Sequence, residues 1–307
     1  MTTIGITGST GQLGRLILER LRAEPIPEAT LRLIVRDAAR APQLLDAWGA
    51  PAEVRVAEYA DAAAARAALD GVDTLFMASG SESPTRREEH RTFIAAAAAS
   101  GVSHLIYTSF VGATPDAVFT LGRDHADAES AIREAAAQRA DGTAGMTFTV
   151  LRDNFYSDFV PMFAGEDGVI RGPAGAGRFA AVARADVADV VVAVLRDRAG
   201  GSGSEDAAAH ADTTYSLTGP EALTMAEAAE RAGAASGREL RYREETPDEA
   251  YASRRQWSTQ QWQLDAWVST YTAIRDGEVA EVTGDVERLT GHPARTIEQA
   301  IADNPGV

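Results

Sequence analysis

The sequence predicts an α/β protein: a doubly wound parallel sheet with a smaller C-terminal α/β lobe. Three observations carry that prediction. Short apolar runs alternate with alanine- and leucine-rich helical stretches through the first half of the chain, which is the pattern of βαβ units. The first of those runs leads straight into GSTGQLG at residues 8–14, a glycine-rich turn that opens a helix. After residue 151 the alternation breaks into an aromatic segment, DNFYSDFVPMF, followed by the turn GPAGAG.

The elements follow in order. Strands are expected at 3–7, 31–35, 54–57, 74–78, 104–108 and 147–151, with helices between them at 14–23, 61–69 and 86–100. Leu13, Leu16, Ile17 and Leu21 put one apolar face of the first helix against the sheet, and Gly101 ends the third as a C-terminal cap. Further on, a helix is expected at 186–195, and GGSGSEDAAAHAD at 200–212 reads as an exposed loop. A strand at 214–217 comes next. Thr224 with Glu227 three residues later forms a capping box for another helix, a strand lies at 240–243, and the remainder reads as helical without internal repeats.

Composition narrows the class. With 307 residues, 45% of them hydrophobic, the chain can bury a substantial core without staples, and it has no cysteine for disulfides or thiolate chemistry. Its five histidines are too scattered for a metal cage. A net charge of −16 opposes attraction to nucleic acid. No apolar run reaches the roughly 18 residues of a membrane span, and the chain opens into a strand with no leader pattern, so a cytoplasmic protein without membrane partners is expected. All 29 basic residues are arginine; there is no lysine.

In GSTGQLG, Gly8, Gly11 and Gly14 stand where a tight turn, close approach to a pyrophosphate, and close helix–strand packing exclude side chains. The amides and dipole of the following helix favour a diphosphate at that end. This is a Rossmann-type site, although the spacing is GxxGxxG. Cofactor choice is set after the second strand, where an acidic residue serves a ribose 2′-OH and an arginine pairs with a 2′-phosphate. Arg36 stands there, either for a 2′-phosphate or as a solvated surface charge, followed by Asp37, which either serves a 2′-OH or caps the next helix; Arg40 lies one turn further on. NADP, with NADPH favoured over NADH, is the expected cofactor. Ser79 and Gly80 follow the fourth strand, and Thr108 and Ser109 end the fifth, at the sheet edge where such folds bind ligands. Turn chemistry is the alternative for each of them.

The segments ITGSTGQLG, LIVRDAARA, VAEYADAAAARAALDGVDTLFMASGSE, HRTFIAAAAASGVSHLIYTS, DHADAE, TVLRDNFYSD, RADVADV and LTGHPARTIEQAI occur in an order that resembles the NmrA-like group of atypical short-chain dehydrogenases/reductases. Within it, the chain is most similar to the NADPH-dependent quinone oxidoreductases. The resemblance implies that residues 1–153, completed by about 184–217, form the NAD(P)-binding domain, and that 154–183 with 218–307 form the substrate lobe. It implies that Thr7, Gly8, Thr10, Gln12 and Leu13 line the pyrophosphate, that Arg36 holds the 2′-phosphate, and that Asp61 approaches adenine. Ser79 and Gly80 would lie beside the ribose-nicotinamide half, with Tyr107, Thr108, Ser109, Asn154, Phe155 and Tyr156 near the nicotinamide and substrate. A small-molecule substrate, a quinone, is the implied partner, and a homodimer is compatible with the family.

The chain departs from the wider superfamily in one respect. Where many reductases carry a Tyr-x-x-x-Lys pair, this sequence has His125 and Glu129. Without lysine that relay cannot be built. Direct hydride transfer to a quinone needs less acid assistance than ketone reduction, and water or His125 would supply the proton, a capping or structural role at the start of its helix being the alternative for His125. Tyr107 and Ser109 complete the catalytic candidates. Phe155, Tyr156, Phe159 and Phe163 either offer the ring an apolar wall or pack the lobe. His90 and His104 read as packing or surface residues, and Trp257, Trp262 and Trp267 as lobe packing or an interface. A different class, a nonenzymatic NADP(H)-sensing regulator, is the alternative function.

Overall fold

The computed structural model describes residues 2–40, 52–137, 145–200 and 208–303. The chain divides into two compact units, the first comprising Met1–Ser109, Asp127–Leu151 and Ala188–Tyr215, the second Phe110–Ala126, Arg152–Val187 and Ser216–Val307.

The main sheet draws on β1 (Thr2–Thr7), β2 (Ala29–Val35), β3 (Glu53–Val56), β4 (Thr74–Met77), β5 (His104–Phe110) and β6 (Thr147–Asp153). Four short strands of the second unit pair outside it: β7 (Val169–Gly172) and β8 (Arg178–Phe179) precede β9 (Thr213–Leu217), the seventh strand of the main sheet, and β10 (Leu223–Thr224) and β11 (Arg241–Glu244) follow. The seven-stranded order is β3-β2-β1-β4-β5-β6-β9. In β1, Ile4 lies between Leu31 of β2 and Thr74 of β4, both in parallel register. Chain order therefore reverses on either side of β1, and the residues leaving β1 and β4 flank the switch point where sheets of this kind bind ligands.

The helices that matter to the site are α1 (Gln12–Ala23), α2 (Ala62–Leu69), α3 (Arg86–Ala99), α4 (Thr120–Ala137), α5 (Arg184–Ala199) and α6 (Met225–Ser236). Ile17, Leu18 and Leu21 of α1 are buried as the apolar spacing requires. In the first unit, Leu75, Met77, Phe93, Leu105, Tyr107 and Ile132 share one core. The expected capping box of α6 is complete: Thr224 Oγ1 accepts from the Glu227 amide, and the Glu227 carboxylate accepts from the Thr224 amide.

Two segments differ from expectation. Residues 110–126 cluster with the second unit, because Phe110 and Phe119 are buried in its core. Their rings are 4.8 Å apart and meet Phe155 at 4.9 and 5.4 Å. The stretch 200–212 is not simply exposed loop; residues 201–207 lie outside the described residues, but His210 is buried. Its Nδ1 meets the Tyr215 hydroxyl at 3.0 Å and its Nε2 meets Asp197 at 2.9 Å. The same network reaches the buried His104, whose Nδ1 and Nε2 lie 2.7 and 2.9 Å from the hydroxyls of Thr147 and Thr149. Thr149 donates onward to the His210 carbonyl, so it accepts from His104, whose Nε2 carries the proton.

Burial, with Arg198 and His210 adding their charge, lowers His104 from 6.5 to about 3. A base whose folded-state pKa is depressed contributes stability above its ordinary pKa and loses it as pH falls toward the folded value. Urea unfolding at pH 6.5 and 5 should therefore show a falling midpoint in the wild type and a shallower fall in His104→Gln; identical slopes would contradict a buried neutral imidazole.

Candidate dinucleotide site

The turn between β1 and α1 is built by two glycines that no other residue replaces. Gly8 has φ +64°, and a Cβ there would stand 2.8 Å from that of Ala78, the residue leaving β4. A Cβ on Gly14 would collide with the Gly8 carbonyl oxygen and lie 2.6 Å from Ser9 Cα. Gly11 is less constrained, since its Cβ would reach the same carbonyl oxygen only at 3.2 Å. Its amide donates to Gly8 O at 2.9 Å and closes the turn.

This turn fits a diphosphate. Gly11 is the N-cap of α1 and provides no side-chain cap, so the first-turn amides, from Gln12 onward, are left for an external acceptor. Gly8, Gly11 and Gln12 are exposed, and Thr10 and Leu13 are half-buried. The Ser9 hydroxyl is buried without a hydrogen-bond partner, in the one place where acceptor oxygens are expected.

Arg36 follows β2, exposed, and among the described residues it forms no ion pair or hydrogen bond. Its charge reaches the Tyr59 phenol. Asp37 is committed elsewhere: its Oδ1 accepts from the Ala39 amide at 2.9 Å, capping the 3-10 turn Ala38–Arg40. Of the two roles open to it in the sequence, the cap is the one observed. The Arg40 side chain lies outside the described residues. Asp61 is the N-cap of α2, accepting from the Ala63 and Ala64 amides, both at 3.0 Å.

Behind the turn, a polar clamp joins the strand ends. The buried Thr7 hydroxyl accepts the Ala78 amide at 2.9 Å and lies 2.6 Å from Tyr59 Oη, which donates to the Ala78 carbonyl at 2.6 Å. Tyr59 stacks on Phe93 at 4.3 Å, and desolvation raises its pKa so that the phenol keeps its proton. The next two residues are held too. The Ser79 amide donates to Thr108 Oγ1 at 2.8 Å. The Gly80 amide donates to His90 Nε2 at 2.8 Å, while its carbonyl accepts from Arg86 Nε at 3.0 Å. Burial and the neighbouring Arg86 charge lower His90 to about 3. The imidazole is neutral, with its proton on Nδ1, 3.5 Å from Tyr107 Oη.

The catalytic candidates take internal roles. Tyr107 is fully buried with its hydroxyl toward His90. Ser109 donates to Glu129 at 2.6 Å, and the same buried carboxylate meets Arg133 at 2.9 Å. His125 is buried in the second unit, its ring 6.2 Å from that of Phe110. Also in the second unit, both ends of the Asn154 amide are engaged, Nδ2 donating to the Val279 carbonyl at 2.9 Å and Oδ1 accepting from the Phe155 amide. The expected aromatic wall does not form one surface. Phe155 joins the Phe110–Phe119 cluster, Tyr156 donates to Asp153 at 2.9 Å, and Phe159 is 40% exposed. Sequence reasoning missed Tyr59 and Arg86 and took His90 for packing or surface. The available signal was Arg86 and His90 four residues apart, on one face of the helix that follows Gly80.

Residues 8–198 match the NAD(P)H-binding family. The chain belongs to that family. Quinone oxidoreductase 2 of Escherichia coli is 30% identical over 302 residues, covering 97% of each chain. The (4-alkanoyl-5-oxo-2,5-dihydrofuran-3-yl)methyl phosphate reductase of Streptomyces griseus is 33% identical over 303 residues, covering 97% of this chain and 96% of the relative. The crystal structure of the Escherichia coli NADPH-dependent quinone oxidoreductase complexed with NADPH superposes with a TM-score of 0.80 at 29% identity, covering 98% of this chain and 99% of that one. The likeness to NADPH-dependent quinone oxidoreductases inferred from the motifs is thereby borne out, and the chain is an NAD(P)H-dependent oxidoreductase.

The glycines of the family's turn should separate by geometry. Gly14→Ala is expected to cost about 1–3 kcal/mol through overpacking, lowering the melting temperature and abolishing NADP+ binding. Gly11→Ala should fold with a near-normal melting temperature. Equal effects in thermal melts and NADP+ titration would contradict the assignment.

Proposed function

We propose that this protein is an NADPH-dependent reductase that delivers hydride to a quinone or a similar electron-poor carbonyl compound. The observation that carries the cofactor half is Arg36. A guanidinium unpaired among the described residues, at the carboxyl end of the strand beside the uncapped turn, is matched to a 2′-phosphate through two parallel charge-assisted bonds. Asp37, the residue that would favour a 2′-OH, has one carboxylate oxygen, Oδ1, in a cap.

Bound NADPH supplies the hydride. The chain's own groups bind and orient: the amides of α1 and the Ser9 hydroxyl take the diphosphate, Arg36 the 2′-phosphate, and the clamped Ser79–Gly80 segment the ribose-nicotinamide half. Quinone chemistry is supported from two sides. The chain has no lysine, and at the Tyr-x-x-x-Lys spacing it places Glu129, whose carboxylate is tied to Ser109 and Arg133. A site without a lysine-assisted phenol suits an acceptor whose reduced form is itself fairly acidic, as a quinol is. The relatives point the same way, one named for quinone reduction and another for reduction of an unsaturated lactone phosphate.

Absorbance at 340 nm tests the reading. NADPH should be stable with the protein alone and be consumed on addition of 1,4-naphthoquinone, with NADH a markedly poorer donor at the same concentration. Tight cofactor binding without turnover on any quinone or electron-poor carbonyl would contradict it.

A further inference from the structure

Buried polar atoms without partners are uncommon in folded proteins, and each calls for a cause. Three of them, Asp153 Oδ1, Ser157 Oγ and Arg184 Nη2, belong to one locus in the second unit. Asp153, Ser157 and Arg184 are 3, 1 and 5% exposed. Tyr156 links them. Its hydroxyl donates to Asp153 Oδ2 at 2.9 Å, and the Arg184 guanidinium carbon lies 5.8 Å from its ring and 5.9 Å from that of Phe159. The backbone fixes the arrangement: Tyr156 forms a parallel bridge with Val182, and the Ser157 amide donates to the Val182 carbonyl at 2.9 Å, which brings 182–184 alongside 155–158. Arg184 Nε is bound to Asp158 Oδ2 at 2.6 Å, so the guanidinium is immobilised and its charge balanced.

We propose that Asp153, Ser157 and Arg184 form a subsite that hydrogen-bonds an acceptor oxygen of the substrate, a ring carbonyl of the quinone type. This assignment of substrate contacts rests on the reductase reading above. The donor set selects the ligand. Burial pushes the Asp153 carboxyl up to about 8, so at neutral pH it carries a proton; with Tyr156 donating to Oδ2, that proton sits on Oδ1. The ionisable groups nearest it are Tyr156 and, beyond the tyrosine, Arg184 and Asp158. The adjoining strands present Val111 and Leu217, which do not titrate. The three orphan atoms are thus a carboxylic O–H, a hydroxyl and a guanidinium N–H. A cation finds no uncompensated charge there, whereas a carbonyl oxygen accepts from all three types.

The test is the affinity of 1,4-naphthoquinone for the NADP+ complex, read by quenching of tryptophan fluorescence, in wild type, Ser157→Ala and Asp153→Asn between pH 7 and 9. Loss of one hydrogen bond should weaken Ser157→Ala about fivefold in Kd and in KM, with kcat little changed. Wild-type affinity should decline across pH 8, while Asp153→Asn, whose amide N–H takes the place of the acid O–H, should bind normally at pH 7 and show no decline. Thermal melts at pH 8 give a separate readout. A carboxyl with a raised folded-state pKa loses its contribution as pH rises through that value, so Asp153→Asn should melt higher than wild type there. Variants that bind like wild type at every pH, or a wild type that does not bind 1,4-naphthoquinone, overturn the subsite; the first would mean that the orphan atoms hold ordered water only. A wild type that shows this pattern of Kd values yet never reduces the quinone contradicts the reductase reading and leaves the subsite standing.

Discussion

The contact between the Gly8 carbonyl and Gly14 is the constraint on which the nucleotide site depends. It lets the first turn of α1 sit against the end of β1 with no side chain between them. That closeness aims an uncapped helix terminus outward, with Gly8, Gly11 and Gln12 exposed around it. A side-chain cap would have satisfied the same amides internally and removed the reason for a diphosphate to bind.

Support for that turn comes from groups that never reach the surface. Thr7 and Tyr59 tie β1 to the residue leaving β4, and His90 and Arg86 fix the amide and carbonyl of Gly80. The histidine works here only as a neutral ring, because its Nε2 must accept; burial beside Arg86 secures that state. Rigid positioning of this kind suits a site whose chemistry belongs to its cofactor.

The sheet was legible because its signals are local. Apolar runs of the right length, Gly101 at a helix end and the Thr224–Glu227 box each act within a few residues. The position of Arg36 at the end of β2 was legible for the same reason. The clamp was not, since Thr7, Tyr59, Ala78 and His90 come from four separated stretches of chain that only the parallel register unites. Burial is equally hard to read from sequence. Tyr107, Ser109 and Asn154 are residue types that suit catalysis or binding, but their polar atoms bond within their own units. His210 was hidden by the low-complexity composition around it, which says nothing of a histidine placed between Asp197 and Tyr215.

The second unit offers polar atoms of another kind, buried and unanswered at Asp153 Oδ1, Ser157 Oγ and Arg184 Nη2, where the first unit offers exposed amides and, in Arg36, an arginine unpaired among the described residues. The preference for a 2′-phosphorylated cofactor rests on that arginine. Equilibrium titration of NADP+ and NAD+ against wild type and Arg36→Ala tests it most directly. A lost charge-assisted pair, about 1.5–3 kcal/mol, should weaken NADP+ by about tenfold to a hundredfold and leave NAD+ unchanged. Equal weakening of both, or of neither, would contradict a 2′-phosphate held by Arg36.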